Sequence, residues 1–194
     1  MTHVRMIGMI ALALGVSAAG AQAQDRTMIT AGTGAGGTFP VGNAADRLEM
    51  GWNAQAQVGL RNASWPVGLR LDLIYNSISG EDIIGSDNDL QVIAGLANVE
   101  LKLNRGSDGG LFLVAGPGFY NMREEVNLLG DRSDNEFGVF GGAGYRFALT
   151  NLLLSVEGRF HNVFTENEST QFIPVSIVAE IPFGGRTTRA ITTR

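Results

Sequence analysis

Beyond residue 26, apolar residues alternate with polar or small ones. A period of two is the spacing of a β-strand whose two faces meet different surroundings. Strands are predicted at about 27–39, 50–61, 66–78, 89–104, 110–122, 136–148, 152–163 and 171–183. In the second, Trp52, Ala54, Ala56, Val58 and Leu60 share one face, and Asn53, Gln55, Gln57 and Gly59 the other. The seventh sets Leu152, Leu154, Val156 and Phe160 against Ser155, Glu157, Arg159 and His161. The eighth places Ile173, Val175, Ile177, Ala179, Ile181 and Phe183 together. The fifth, Leu111 to Tyr120, is apolar on both faces, so its inner side is not readable.

The connections alternate in length. Arg61 to Pro66, Asn104 to Gly110 and Ala148 to Asn151 are short, whereas Pro40 to Met50, Ser79 to Asn88, Arg123 to Asn135 and Thr165 to Thr170 are mostly longer. Short turns at one end and long loops at the other are the habit of an outer-membrane barrel. The predicted fold is therefore all-β: an eight-stranded antiparallel up-and-down transmembrane β-barrel.

Charge decides which face is inside. Opposite the apolar faces stand Arg70, Asp72, Glu100, Lys102, Arg146, Glu157, Arg159 and Glu180, four basic and four acidic. An eight-stranded barrel has room inside only for side chains. Unpaired charge there is costly, so equal numbers of each sign imply a lumen ion network. Aromatic residues cluster near strand ends, as interfacial girdles do. Phe39, Trp52, Tyr75, Phe119, Phe137, Phe164 and Phe172 fall on the loop side; Trp65, Tyr145, Phe147 and Phe183 fall on the turn side.

Composition narrows the class. The 194 residues include 27 glycines and no cysteine, which rules out disulfides and thiolate metal sites. A formal charge of −5 gives no reason to expect nucleic acid. Residues 1–23 read as a signal peptide: His3 and Arg5, an apolar run from Ile7 to Val16, then Ala21-Gln22-Ala23 as the cleavage site. Export is expected to leave a barrel at 24–184 and a short tail at 185–194, located in the outer membrane. The long loops and their flanks carry Asp46, Glu49, Glu81, Asp82, Asp87, Asp89, Glu124, Glu125, Asp131, Asp134, Glu136, Glu166 and Glu168 against Arg47, Arg123 and Arg132. Carboxylates of this kind are candidate contacts for divalent cations and, through them, lipopolysaccharide, although no run has the spacing of a calcium loop.

The chain resembles the outer-membrane barrel domain of the OmpA/OmpX-like porin superfamily over nearly all of its mature length. Gly141-Gly142-Ala143-Gly144-Tyr145-Arg146-Phe147, Val156-Glu157-Gly158-Arg159-Phe160-His161 and the last strand, Phe172 to Phe183, carry the likeness. The resemblance implies assembly by the outer-membrane insertion machinery, which reads a final strand ending in an aromatic, here Phe183. The tail after Phe183 departs from members that stop at that aromatic, and no periplasmic peptidoglycan-binding domain of the kind longer members carry is expected.

No motif argues for a catalytic site or a cofactor. Gly32-Thr33-Gly34-Ala35-Gly36-Gly37 matches a dinucleotide fingerprint in form, but Thr38-Phe39-Pro40 follows where a helix is needed. Glycines at such positions are expected to permit bends. His161 is the only histidine after residue 3. Barrels that deacylate lipid A place a serine two residues after the histidine, where this chain has Val163. A non-enzymatic surface barrel is expected, with a narrow porin, a lipid A-modifying enzyme and a soluble periplasmic lipocalin-like carrier as alternatives.

Overall fold

A computed structural model describes residues 27–46, 48–62, 65–79, 90–104, 109–124, 132–165 and 169–183. The expected signal peptide, its cleavage site and the tail lie outside these residues. So do Glu81, Asp82, Asp87, Asp89, Glu125, Asp131, Glu166 and Glu168 of the long loops.

Eight strands follow in order: β1 (Thr27–Val41), β2 (Gly51–Asn62), β3 (Val67–Ile78), β4 (Leu90–Lys102), β5 (Gly110–Glu124), β6 (Arg132–Ala148), β7 (Leu153–Phe164) and β8 (Ser169–Phe183). Each pairs antiparallel with the next, and β8 returns to β1 from Ile29↔Phe183 to Val41↔Gln171. Closure leaves no strand edge unpaired in lipid. Every strand read from alternation is present.

The long connections hold more structure than their sequence suggested. A 3-10 turn spans Gly42–Asp46, with Gly42 at φ 62°. Part of the expected loop Arg123 to Asn135 is a hairpin that continues the β5–β6 ladder from Asn121↔Asn135 to Glu124↔Arg132. Polar cross-strand contacts hold it. Asn121 Nδ2 donates to Ser133 Oγ at 3.0 Å and to Asn135 Oδ1 at 2.9 Å. These residues have no apolar period, so alternation could not mark them as strand.

The faces are those of a membrane barrel. Leu69, Leu73 and Ile177 point outward at 57%, 58% and 59% exposure. Arg70, Glu157 and Arg159 point inward and are buried. The soluble-carrier alternative needs the reverse and is overturned. On β6, Phe137 and Phe147 face outward ten residues apart. At ~3.4 Å per residue and ~40° of tilt they mark a band of roughly 26 Å, close to the apolar height of outer-membrane barrels. On the ambiguous fifth strand, Phe112, Val114 and Tyr120 are inside, and Leu111, Leu113 and Phe119 outside. Phe172 is also inside, fully buried, and does not belong to the loop-side girdle.

The glycine run of β1 is not there for bends. Gly42 and Gly110 are the positive-φ glycines, and none of Gly32, Gly34 or Gly36 is among them. Close approach is the reason. A Cβ on Gly32 would lie 2.6 Å from the Ala179 carbonyl oxygen and 2.7 Å from Glu180 Cγ. Gly32 therefore leaves the space that a buried glutamate occupies.

Candidate functional site

The interior is the site, and it has two layers. Alternation brings one inward residue from each strand to each level, so the lumen is written by every second residue of eight strands.

The layer nearer the short turns is ionic. Four arginines and four carboxylates form two rings. In the first, Arg61 contacts Glu100 at 3.2 Å and Glu180 at 3.0 Å, and Arg146 contacts the same two at 2.8 and 3.4 Å. In the second, Arg70 contacts Asp72 at 3.0 Å and Glu157 at 3.1 Å, and Arg159 contacts the same two at 2.6 and 2.5 Å. Arg70 also reaches Glu100 at 3.7 Å and joins the rings. The geometry favours arginine, whose planar fork meets two carboxylates at once. Arg146 donates Nη1 to Glu100 Oε1 and Nη2 to Glu100 Oε2, both at 2.8 Å. The central carbon of that guanidinium, Cζ, lies over Phe112, 4.4 Å from the ring centre. Neutral donors complete the set: Gln55 Nε2 gives to Glu157 Oε1 at 2.8 Å, and Thr30 Oγ1 to Glu180 Oε1 at 3.2 Å.

Seven of the eight charged residues expected in the lumen stand in these rings. The eighth, Lys102, sits half-buried at the turn-side end of β4, where its Nζ donates to the Asn62 carbonyl at 3.4 Å. Arg61 fills the fourth cationic place. It stands at the start of the short connection to Pro66, yet it continues the inward parity of Asn53, Gln55, Gln57 and Gly59. Room for it comes from Gly68, where an added Cβ would lie 3.2 Å from Arg61 Cγ.

The layer nearer the long loops is largely apolar, which a uniformly polar lumen does not anticipate. Ile74, Ile78, Leu90, Val92, Ala94, Leu96, Val114, Tyr120, Phe140, Val163 and Phe172 pack as one cluster. Leu48 and Met122 lie against it. Leu48 is carried there by the first loop, which is pinned where Glu49 N donates to the Ser79 carbonyl at 2.7 Å. The β8–β1–β2–β3 wall adds uncharged polar side chains at the same level. Ser176 Oγ donates to Asn53 Oδ1 at 2.7 Å, and Thr38 Oγ1 to Asn76 Oδ1 at 2.8 Å.

His161 lies between the layers, fully buried. Its ring stacks on Phe172 at 4.9 Å and on Phe140 at 5.3 Å, and Nδ1 is hydrogen-bonded to the Tyr120 phenol Oη at 2.8 Å. A general base must reach a nucleophile and a substrate. This histidine is walled by two phenyl rings and bound to a phenol, and Val163 stands where lipid A deacylases need a hydroxyl. Among the described residues there is no group of three or more His, Asp or Glu side chains arranged to hold a metal ion.

Residues 9–169 match the outer membrane protein beta-barrel domain family. No curated protein matches the chain by sequence. Among solved structures, Neisserial surface protein A is 17% identical with a TM-score of 0.50, covering 81% of this chain and 97% of its own. The attachment invasion locus protein Ail of Yersinia pestis, solved with the heparin analogue sucrose octasulfate, is 15% identical with a TM-score of 0.50, covering 83% and 100%. At these identities the likeness is one of fold.

Proposed function

The chain belongs to the outer membrane protein beta-barrel domain family, and from that premise we propose that it is a sealed, non-conducting outer-membrane barrel that presents acidic loops at the surface. One observation carries the sealed reading: two linked ion-pair rings lie beneath an apolar layer, so an ion entering from either mouth meets a barrier of a different kind. In the apolar layer it loses its water. At the rings it must displace an arginine from two carboxylates. Reconstitution in planar bilayers tests this. The expected trace stays at baseline at all voltages that the bilayer survives, and steady single-channel steps would establish the narrow-porin alternative.

The loops supply the outward role. Their thirteen acids against three arginines would repel a sulfated polyanion of the kind bound to Ail. They suit divalent cations shared with lipopolysaccharide phosphates. Phe183 ends β8, faces outward and is 53% exposed, which suits the insertion signal expected of it. Cleavage after Ala23 completes the proposal, and N-terminal sequencing of the mature protein reads it.

A further inference from the structure

Pro40, Pro117, Pro174 and Pro182 lie within strands. A proline has no N–H to give to a ladder. In an antiparallel pair the N–H and C=O of one residue point to the same neighbour, and successive residues alternate between neighbours. Leu103 N, just past β4, donates to the Leu111 carbonyl on β5, and Lys102 N donates to the Pro66 carbonyl before β3. Odd residues of β4 and β5 therefore face each other, and Pro117 faces β4. Added Cβ atoms on Gly32 and Gly142 would meet the Ala179 and Gly158 carbonyl oxygens, so odd residues of β8 face β1 and even residues of β7 face β6. Pro174 then faces β7, opposite Arg159. Both ladders fail at these points. The β4–β5 register skips from Leu96↔Gly118 to Val99↔Ala115, and the β7–β8 register from Gly158↔Val175 to His161↔Phe172. The other ladders run without a gap among the described residues. Pro40 and Pro182 face β2 and β7 beyond the ends of those ladders. Each break removes an N–H···O=C bond where no water can replace it.

The two breaks divide the barrel into a β5–β6–β7 meander and a five-stranded remainder, β8–β1–β2–β3–β4. The ring charges divide with them. The meander carries Arg146, Arg159 and Glu157, an excess of one positive charge. The remainder carries Arg61, Arg70, Asp72, Glu100 and Glu180, an excess of one negative charge. Four ion pairs cross between them: Arg146 to Glu100 and to Glu180, Arg159 to Asp72, and Arg70 to Glu157. Each ring therefore spans the two parts. We propose that these ion pairs are a clasp. They hold the meander against the remainder where the backbone ladders are interrupted, and the two seams are where the barrel first opens, sideways and without unravelling either part.

Amide hydrogen exchange tests this, read residue by residue by NMR on the mature barrel in detergent micelles. On β4, the Ala97 and Val99 amides face the seam, and those of Leu96 and Asn98 face β3. On β7, the His161 amide faces the seam, and those of Gly158 and Phe160 face β6. The seam amides are expected to exchange about tenfold faster than their neighbours, the equivalent of one hydrogen bond. Pro117→Ala returns an N–H to the β4–β5 seam and should slow Ala97 and Val99 by about tenfold. Arg159→Leu removes a crossing pair and should speed the seam amides by about tenfold or more. Arg61→Leu removes pairs that lie wholly within the remainder, to Glu100 and Glu180, so it should lower the urea midpoint without speeding the seams. Asp72→Asn weakens the same crossing pair and replaces Arg159→Leu if that variant loses its heat-dependent gel shift. Equal exchange of seam and neighbouring amides, a seam unmoved by Pro117→Ala, or seams sped as much by Arg61→Leu as by the crossing variant would overturn the proposal.

Discussion

Arg159→Leu is the sharpest probe of the lumen. Arg159 is buried and spans Asp72 at 2.6 Å and Glu157 at 2.5 Å. Leucine keeps the bulk but removes the charge, so Arg70 alone faces both carboxylates of that ring. Removing one partner of a buried pair costs on the order of 3–5 kcal/mol; here two carboxylates must share one guanidinium, which leaves one negative charge uncompensated and out of reach of water. At a urea slope of ~2 kcal/mol per molar, the unfolding midpoint should fall by roughly 1.5–2.5 M. Tryptophan fluorescence in detergent reports it, since Trp52 and Trp65 are both on the exterior. Adding Glu157→Gln removes one negative charge and leaves Arg70 with Asp72, so the double variant should recover part of the loss. A coupling of about 0.5–3 kcal/mol is expected for side chains in direct contact. An unchanged midpoint in Arg159→Leu, or a double variant weaker than the sum of its parts, would refute the paired-ring account.

Inward and outward glycines should respond differently. Gly142→Val sets its Cβ 2.3 Å from the Gly158 carbonyl oxygen and 2.8 Å from Arg159 Cα, and should abolish the heat-shifted folded band; Gly141→Ala meets nothing within 4 Å and should move stability by no more than ~0.5 kcal/mol. Tyr120→Phe deprives buried His161 Nδ1 of its partner and should cost roughly 1–3 kcal/mol by urea titration, with no change expected if that contact is idle. Leu48→Ala should cost about 1–2 kcal/mol, less than a fully buried leucine, because Leu48 is only partly covered. It should still leave conductance at baseline, because the rings close the lumen below it; conduction in that single variant would refute the two-layer seal.

Strand positions were legible because most strands contrast their two faces over at least part of their length. β5 has no such contrast: Phe112, Val114 and Tyr120 go in, and Leu111, Leu113 and Phe119 go out. The apolar half of the lumen was hidden for the same reason. Ile74, Val92 and Phe172 are lumen residues that look like lipid-facing ones, and only register against a charged neighbour separates them. Arg61 was obscured by its place next to the turn signal Asn62-Ala63-Ser64, although its parity pointed inward. Lys102 shares that parity but sits one step too near the strand end to enter the rings. The polar hairpin beyond Tyr120 depends on side-chain amides rather than periodicity, and alternation is blind to it.

The ion rings also bear on how the strands choose their register. Apolar residues of similar volume could fill the same space without loss of stability. They would, however, leave both faces of the barrel alike. Slipping one strand by a single residue exchanges its faces, and an apolar lumen in an apolar membrane would raise little objection. With Glu100 on β4 and Arg146 on β6, such a slip drives a charge into lipid and strands its partner inside. β5 has no charge of its own along Leu111 to Tyr120, yet it lies between those two strands, paired Glu100↔Val114 and Gly110↔Arg146. Its register is therefore held by its neighbours. The same logic extends upward: the apolar layer can afford two greasy faces because the ionic layer beneath it has already settled which way each strand points.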